Sequence, residues 1–498
     1  AHTDVTARWL STKNFQELCD KHPKIGMAIL TEFGRDLTHK IRTMNDRMAN
    51  YISTEKVPLS VDEMIARAVV ARKAFEDWSE KRIDALLKDI AEAIADKAQE
   101  LAEKSVEETK IGVAAHKVLK IRFASLDVYK MLVNKPGMGI LKTDDQLKVT
   151  EIASPMGVVL GLIPLTNPVP TLVFKTLICL KSRNALILSC HHNAMGVGSQ
   201  AGDIIQDMLC RHGAPVDLVQ WIKERTSRRT TSLYMMHKDV SFILATGGPS
   251  MVKAAYSSGT PAIGVGPGNA PTWICSVADP DKVAEMVVGS KSFDNGVICG
   301  SENNLVVDVS IRESFIEALK KHGAAVLEPD EIDRFTEHVV NPETQRLHRE
   351  VVGQSAQSIL AKAGIECNGD IRLIVIPLKR DRIKGPYGYE KLAPVLSLFT
   401  ADGEVEGMAL CKEILANEGT GHTAIIHTND EKLAELFGLE MPVSRSLVNC
   451  PGSQGCIGMV NGLIPSLTLG CGTFGGTSTT DNVSYTHLVN IKRIAQAL

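Results

Sequence analysis

Aromatic side chains make up only 5% of the 498 residues. Charge nearly cancels, with 55 Lys and Arg against 58 Asp and Glu for a formal net charge of −3. The first shortage disfavours an aromatic-lined binding module, and the second a strongly basic groove for nucleic acid. No apolar run approaches the roughly 18 residues that suggest a membrane helix; the most apolar stretch, near Val158–Leu165, is broken by Gly161 and Pro164. The chain opens on Ala1-His2-Thr3 with neither Met nor an apolar leader, which we read as a processed or truncated start without a secretory signal. The eleven cysteines are scattered, which predicts a reducing cytoplasm and no disulfide framework. There is no H-E-x-x-H and no paired C-x-x-C. His191, His192, His422 and His427 are therefore read as surface or core histidines, Cys450, Cys456 and Cys471 as structural thiols, and no metal is expected. A phosphate-binding G-x-x-x-x-G-K-[ST] loop and a G-x-S-x-G nucleophile elbow are also missing.

What is present is a globular composition rich in glycine, with 39 residues. That favours a loop-rich α/β enzyme. Residues 1–55 form a separate piece. His2–Leu10 reads as a strand, and Ile25, Ile29, Phe33, Leu37, Ile41, Met44 and Met48 recur at the spacing of a long amphipathic helix. Such a helix, with one narrow apolar stripe, suits a dimer seam or a connector. After a linker at Lys56–Leu59, Ser60 and Glu63 form a capping box ahead of a new helix. Further helices are predicted over Arg82–Glu107 and Ala114–Asn134, and a hairpin arm over residues 137–154. From Val158 to Ser276, short apolar runs alternate with helical segments, the pattern of βαβ units and a parallel sheet. A second such stretch runs from Asp279 to His427. The tail from Arg445 passes through glycine-rich loops into an amphipathic segment.

Three short stretches carry chemical signals. Gly264-Val265-Gly266-Pro267-Gly268-Asn269 is the densest glycine cluster, but it is not a dinucleotide fingerprint, and a tight structural loop explains it as well. Thr246-Gly247-Gly248-Pro249 follows a predicted strand and opens a predicted helix, where either a phosphate or a plain turn fits. Asn295–Ser301 sets Cys299 among small residues before a strand, with room for a thiol to meet a substrate. On spacing alone Cys299 stands only slightly apart from the other ten cysteines.

Taken together, these segments resemble the aldehyde dehydrogenase superfamily, and within it the CoA-acylating branch. The resemblance runs from about residue 59 to 498. It is carried by Pro155-Met156-Gly157-Val158, Pro164-Leu165-Thr166-Asn167-Pro168, Ala245-Thr246-Gly247-Gly248 and Lys253–Gly259 leading into Gly264–Asn269. Phe293-Asp294-Asn295-Gly296 ahead of Cys299, Glu390-Lys391-Leu392-Ala393-Pro394-Val395, Gly421-His422-Thr423 and Leu469-Gly470-Cys471-Gly472 complete it. The resemblance implies an α/β fold of two Rossmann-like parallel-sheet domains with a β-hairpin oligomerisation arm, here behind a helical N-terminal extension. A cofactor domain would span 59–270 with the arm at 137–154, a catalytic domain 271–440, and 441–498 would return to the cofactor domain and the oligomerisation tail. Residues 1–55 resemble the end of a cyclic-nucleotide-binding domain.

The resemblance also implies the chemistry. Cys299 attacks an aldehyde as thiolate, and Asn167 with the Cys299 backbone N–H receives the oxyanion. Hydride leaves to NAD, with NADP left open, and CoA accepts the acyl group. His422 assists as acid-base or by stabilising the thiolate, or is simply a strand-edge histidine satisfied by backbone. Ile163, Pro164, Thr166, Asn167, Ser189, His191, Gly247, Gly248 and Glu390 contact the cofactor. Hydrolytic members carry a Glu in an E-L-G-G motif, where this chain has Gly264-Val265-Gly266-Pro267, so water lacks its base and CoA transfer is expected. A homodimer or larger homo-oligomer is expected. The competing readings are a hydrolytic enzyme with another base, and an inert regulatory scaffold.

Overall fold

A computed structural model of the chain describes residues 12–32, 34 and 60–498. Residues 12–32 are helical, Thr12–Lys21 and then 23–32. The strand expected at His2–Leu10 and the apolar series beyond residue 34 lie outside the described residues.

Three sheets organise the rest. β1 (Gly139–Asp144) and β2 (Val149–Pro155) form the expected hairpin. The second sheet runs β5-β4-β3-β6-β7, all parallel. Its strands are β3 (Val158–Ile163), β4 (Ala185–Cys190), β5 (Val219–Trp221), β6 (Val240–Ala245) and β7 (Ala262–Gly264). The third has seven parallel strands in the order β10-β13-β14-β9-β8-β15-β16. These are β8 (Ala270–Ile274), β9 (Glu302–Asp308), β10 (Ala324–Val326), β13 (Leu373–Pro377), β14 (Val395–Ala401), β15 (Gly421–His427) and β16 (Val443–Val448). A short hairpin, β11 (Val340–Asn341) with β12 (Arg346–Leu347), stands apart. The central strands of both parallel sheets are covered on both faces: every residue of β3, β9 and β15 is buried, β3 as one apolar run and β9 and β15 as apolar centres with buried polar ends.

The Ser60 side chain accepts from the Glu63 backbone N–H at 3.1 Å and opens the helix Val61–Phe75. The single helix expected over Arg82–Glu107 is two, Glu80–Asp96 and Ala98–Thr109, because Lys97 leaves helical geometry at φ −95°, ψ 8°. The helix expected over Ala114–Asn134 holds a π-helical turn at Phe123–Asp127. The amphipathic tail proves to be a strand, β17 (Val489–Ala495), which lies antiparallel on β2 and makes the first sheet three-stranded. Among the described residues no helix is long and apolar enough to cross a membrane, and no group of three or more His, Cys, Asp or Glu could hold a metal ion.

Candidate active site

The carboxyl ends of β3, β4 and β6 share one cavity of about 500 Å³ with the turn ahead of β9 and the segment ahead of β14. Crevices beyond the carboxyl ends of parallel strands are the usual ligand sites of open α/β sheets. Ile163, Pro164, Thr166 and Asn167 line the cavity from the end of β3, Ser189 and His191 from the end of β4, and Gly247 and Gly248 from the end of β6. Glu390 and Cys299 line it from the other side, and Val265, Gly266 and Pro267 join them. The glycine loop thus belongs to the site as well as to the packing. Gly248 is the N-cap of the helix Pro249–Tyr256. The structure therefore brings all the sequence-selected residues except His422 to one surface, and His422 lies directly behind Cys299.

Cys299 ends the turn ahead of β9. Its Sγ is 3.1 Å from Nε2 of His422, whose Nδ1 is 2.9 Å from Thr423 Oγ1. Burial pushes the thiol well above the ordinary range, with Cys456 and Glu390 adding to the effect and Arg445 opposing it. Burial also pulls His422 down to about 3, with the Arg445 charge adding. Both groups are therefore neutral at rest, with the imidazole within hydrogen-bond reach of the thiol on one side and of the Thr423 hydroxyl on the other. Asn167 precedes the helix Pro168–Lys181, and its side chain does not cap that helix. Its Nδ2 instead donates weakly to Val297 O at 3.5 Å and to Thr166 Oγ1 at 3.3 Å, on the Cys299 side. Glu390 Oε1 accepts the Gly268 backbone N–H at 2.9 Å. Burial first, and then the Glu418 charge, raise the Glu390 carboxyl to about 8. Cys190 also lines the cavity, and burial pushes its thiol up to about 12 as burial pushes Cys299 up; what sets Cys299 apart is the His422 imidazole 3.1 Å from its sulfur.

The glycine loop and the Cys299 loop meet at contact distance. A Cβ on Gly268 would fall 1.6 Å from the Cys299 carbonyl oxygen, so only glycine fits there. Asn269 holds the loop down: Nδ2 donates to Gly388 O at 2.8 Å, and Oδ1 accepts from the side chains of Asn303 at 2.7 Å and Asn304 at 2.8 Å.

Residues 53–463 match the aldehyde dehydrogenase family. The chain belongs to the aldehyde dehydrogenase family. It is 36% identical over 441 residues to the bifunctional aldehyde-alcohol dehydrogenase of Escherichia coli, an alignment covering 88% of this chain and 49% of that protein. The chain thus spans about half the length of the first curated relatives it matches. Among solved structures it superposes on an acetylating aldehyde dehydrogenase from Geobacillus thermoglucosidasius with a TM-score of 0.85 and 40% identity, covering 88% of this chain and 96% of that one. It also superposes on a propionaldehyde dehydrogenase from Rhodopseudomonas palustris, solved with bound CoA and an acylated cysteine. There the TM-score is 0.80 and the identity 25%, over 88% of this chain and 98% of that one.

Several residues of this aldehyde dehydrogenase site escaped the sequence reading. Glu224, Arg225 and Thr226 line the cavity beyond the end of β5, from a loop with no repeat or spacing to mark it, and Arg228 from the start of the helix Arg228–Met236. Arg445 is buried, with its guanidinium donating to Gly470 O at 2.6 Å and Thr480 O at 3.1 Å, while its Nε has no partner. Its position on an edge strand of mixed character gave no warning of that burial. Lys117, Lys120 and Asp294 form a buried cluster behind Asn167. The i, i+3 spacing of the two lysines was the available signal, and it reads as a solvated helix face.

Proposed function

We propose that this chain catalyses the reversible, CoA-acylating oxidation of a short aldehyde to an acyl-CoA, with NAD as the expected cofactor, in the cytoplasm and as a homodimer or larger homo-oligomer. The observation that carries the reading is the Cys299–His422 pair at the inner wall of the cavity, next to the Asn167 amide, with a glycine loop where the hydrolytic branch has its glutamate. The residues present fit a nicotinamide cofactor. The cavity holds a buried, unpartnered hydroxyl, Thr246 Oγ1, at the start of a helix whose N-cap Gly248 has no atom within 4 Å of a would-be Cβ. Ser189 and His191 would take the adenosine side, Gly247 and Gly248 the phosphates, and Glu390 the nicotinamide ribose. When bound, the cofactor supplies the hydride acceptor that converts thiohemiacetal to thioester.

The protein's own residues do the rest. As sulfur attacks the carbonyl carbon, the thiol proton passes to His422 Nε2 across 3.1 Å. The carbonyl oxygen becomes an oxyanion, received by Asn167 Nδ2 and the Cys299 N–H. The imidazolium, held far below its ordinary pKa, then gives the thiol proton up to solvent, which is the proton the oxidation releases. In the second half the CoA thiol gives its own proton to the freed Nε2 and attacks the thioester. The tetrahedral adduct expels the Cys299 sulfur, which takes up that proton. A second reading, hydrolysis, has one observation in its favour: Glu390 is a carboxyl in the same cavity with its pKa raised to about 8.

The test is reduced-cofactor formation with a panel of short aldehydes, with and without CoA, in wild type and Cys299→Ala. Steady turnover that needs both CoA and Cys299, yielding acyl-CoA, is expected. Equal turnover without CoA, yielding free acid, would replace this reading with the hydrolytic one.

A further inference from the structure

The helix Ala114–Arg122 sends Lys117 and Lys120 inward, 2% and 0% exposed, onto Asp294, which is also 0% exposed. Asp294 sits in the left-handed turn that leads to Cys299, with φ 50°, followed by Asn295 at φ 56°. Asp294 Oδ1 accepts the Val113 backbone N–H at 2.7 Å, and Oδ2 accepts Lys117 Nζ at 3.0 Å. Lys120 Nζ donates to the same Oδ2 and to Asn167 Oδ1. Lys117 goes on to Thr166 O at 3.2 Å, and the Asp294 backbone N–H donates to His116 Nδ1 at 2.9 Å.

Two ammonium groups on one carboxylate are more than a tie between helix and turn requires. Lys117 alone, with Val113 N–H, would pin Asp294. A second buried ammonium costs desolvation, which pulls Lys120 down to about 8 despite the opposing Asp294 charge. Such a charge stays charged when paired, and Asp294 supplies the pairing. Its remaining contact is the Asn167 carbonyl oxygen. An ammonium only donates, so it must face Oδ1 and leaves Nδ2 turned to the Cys299 side. Donation to Oδ1 also draws density from the amide nitrogen and makes Nδ2–H a stronger donor.

We propose that Lys120, held by Asp294, is a positioning residue of the acylation step: it fixes and polarises the Asn167 amide so that Nδ2–H meets the oxyanion formed on Cys299. The inference rests on the role given above to Asn167, and it is independent of whether CoA or water removes the acyl group.

The test is therefore the burst of reduced cofactor in the absence of CoA, which reports Cys299 acylation in either case. It uses NAD with acetaldehyde, propionaldehyde and succinic semialdehyde, at the one giving the largest wild-type burst. The variants are Lys120→Met, Lys120→Gln, Asn167→Ala and the two double substitutions. Loss of an oxyanion donor is worth roughly 10²–10³ in rate, so Asn167→Ala should fall that far. Lys120→Met should slow the burst at least tenfold with the NAD dissociation constant unchanged within twofold. In the Asn167→Ala background it should add less than twofold, because its effect passes through that amide. Lys120→Gln, uncharged but still able to donate, should fall between wild type and Met, and it carries the same cycle if the Met variant does not fold. Multiplying effects in the double variants, or a burst within threefold of wild type in both Lys120 variants, would overturn the proposal. A wild-type burst in Asn167→Ala would remove the role of Asn167 and this inference with it. An intact cycle in an enzyme that turns over equally well without CoA would overturn the acylating reading alone.

Discussion

Gly268→Ala adds a single methyl group at the point where the two halves of the site touch. That carbon would lie 1.6 Å from the Cys299 carbonyl oxygen, and real Cβ contacts stay beyond 3.0 Å, so the two backbones must separate by at least 1.4 Å. Neither side yields easily. Asn269 fastens the glycine loop by three short side-chain hydrogen bonds, and Gly300 packs so closely that a Cβ there would lie 2.4 Å from Cys456 Sγ. Overpacking of this kind costs about 1–3 kcal/mol of stability. The effect on catalysis is larger, because a misplacement of about 1 Å in a reacting group can cost about 10²-fold. Gly268→Ala should therefore fold, melt several degrees lower, and show a burst rate reduced about 10²-fold or more. Gly248→Ala is the control: its Cβ meets nothing within 4 Å, so the melting temperature should hold and only cofactor affinity should change. Thermal unfolding and stopped-flow cofactor reduction measure both. A Gly268→Ala enzyme with wild-type melting and a burst within threefold of wild type would refute the claim that the two loops fix each other's position.

Glu390 predicts a pH dependence of cofactor binding. With a pKa near 8 it is mostly protonated at pH 7, and ribose hydroxyls donate best to the ionised form. NAD affinity should then rise by about tenfold between pH 7 and pH 9, following the ionised fraction, and Glu390→Gln should flatten the curve; a titration of NAD binding against pH reads this directly. His427, 1% exposed, has both ring nitrogens buried and unpartnered and its pKa pulled down to about 4 by burial. The unfolded chain binds this proton from about pH 6.5 downward while the folded one does not, so stability is lost as pH falls from 6.5 to 4. The loss is about 3 kcal/mol at one pKa unit per 1.36 kcal/mol. His427→Phe should remove that slope in denaturant melts at pH 7 and pH 4.5, and an unchanged slope would rule His427 out as its source.

The parallel sheets were legible because strands covered on both faces carry runs of consecutive apolar residues, as Val158–Ile163 does throughout and Ala185–Cys190 does over its first four residues. The cavity lining was legible as an ordered series of short motifs, while spacing alone barely separated Cys299 from the other cysteines. What sequence hid was whatever depends on a distant partner. The seven residues of β17 bury little beyond Val489, so their pattern names no core, and they become a strand only because β2 offers an edge. Lys97 breaks a helix that no proline or glycine marks. Lys117 and Lys120 look like surface residues until Asp294, some 175 positions away, closes over them.

The pairing of β17 with β2 also sets a schedule. The Asn490 side chain donates to the Pro155 carbonyl beside this ladder, from a position 335 residues further along the chain. At about 5–20 residues per second, a ribosome needs from roughly 20 s to about a minute to make the intervening chain. Throughout that interval β2 has one open edge. The buried Asn184 amide, too, lacks the Leu488 carbonyl that it later meets at 2.8 Å. The nascent protein is thus committed to a waiting period in which its arm is adhesive to any extended segment nearby, including the arm of a neighbour on the same messenger.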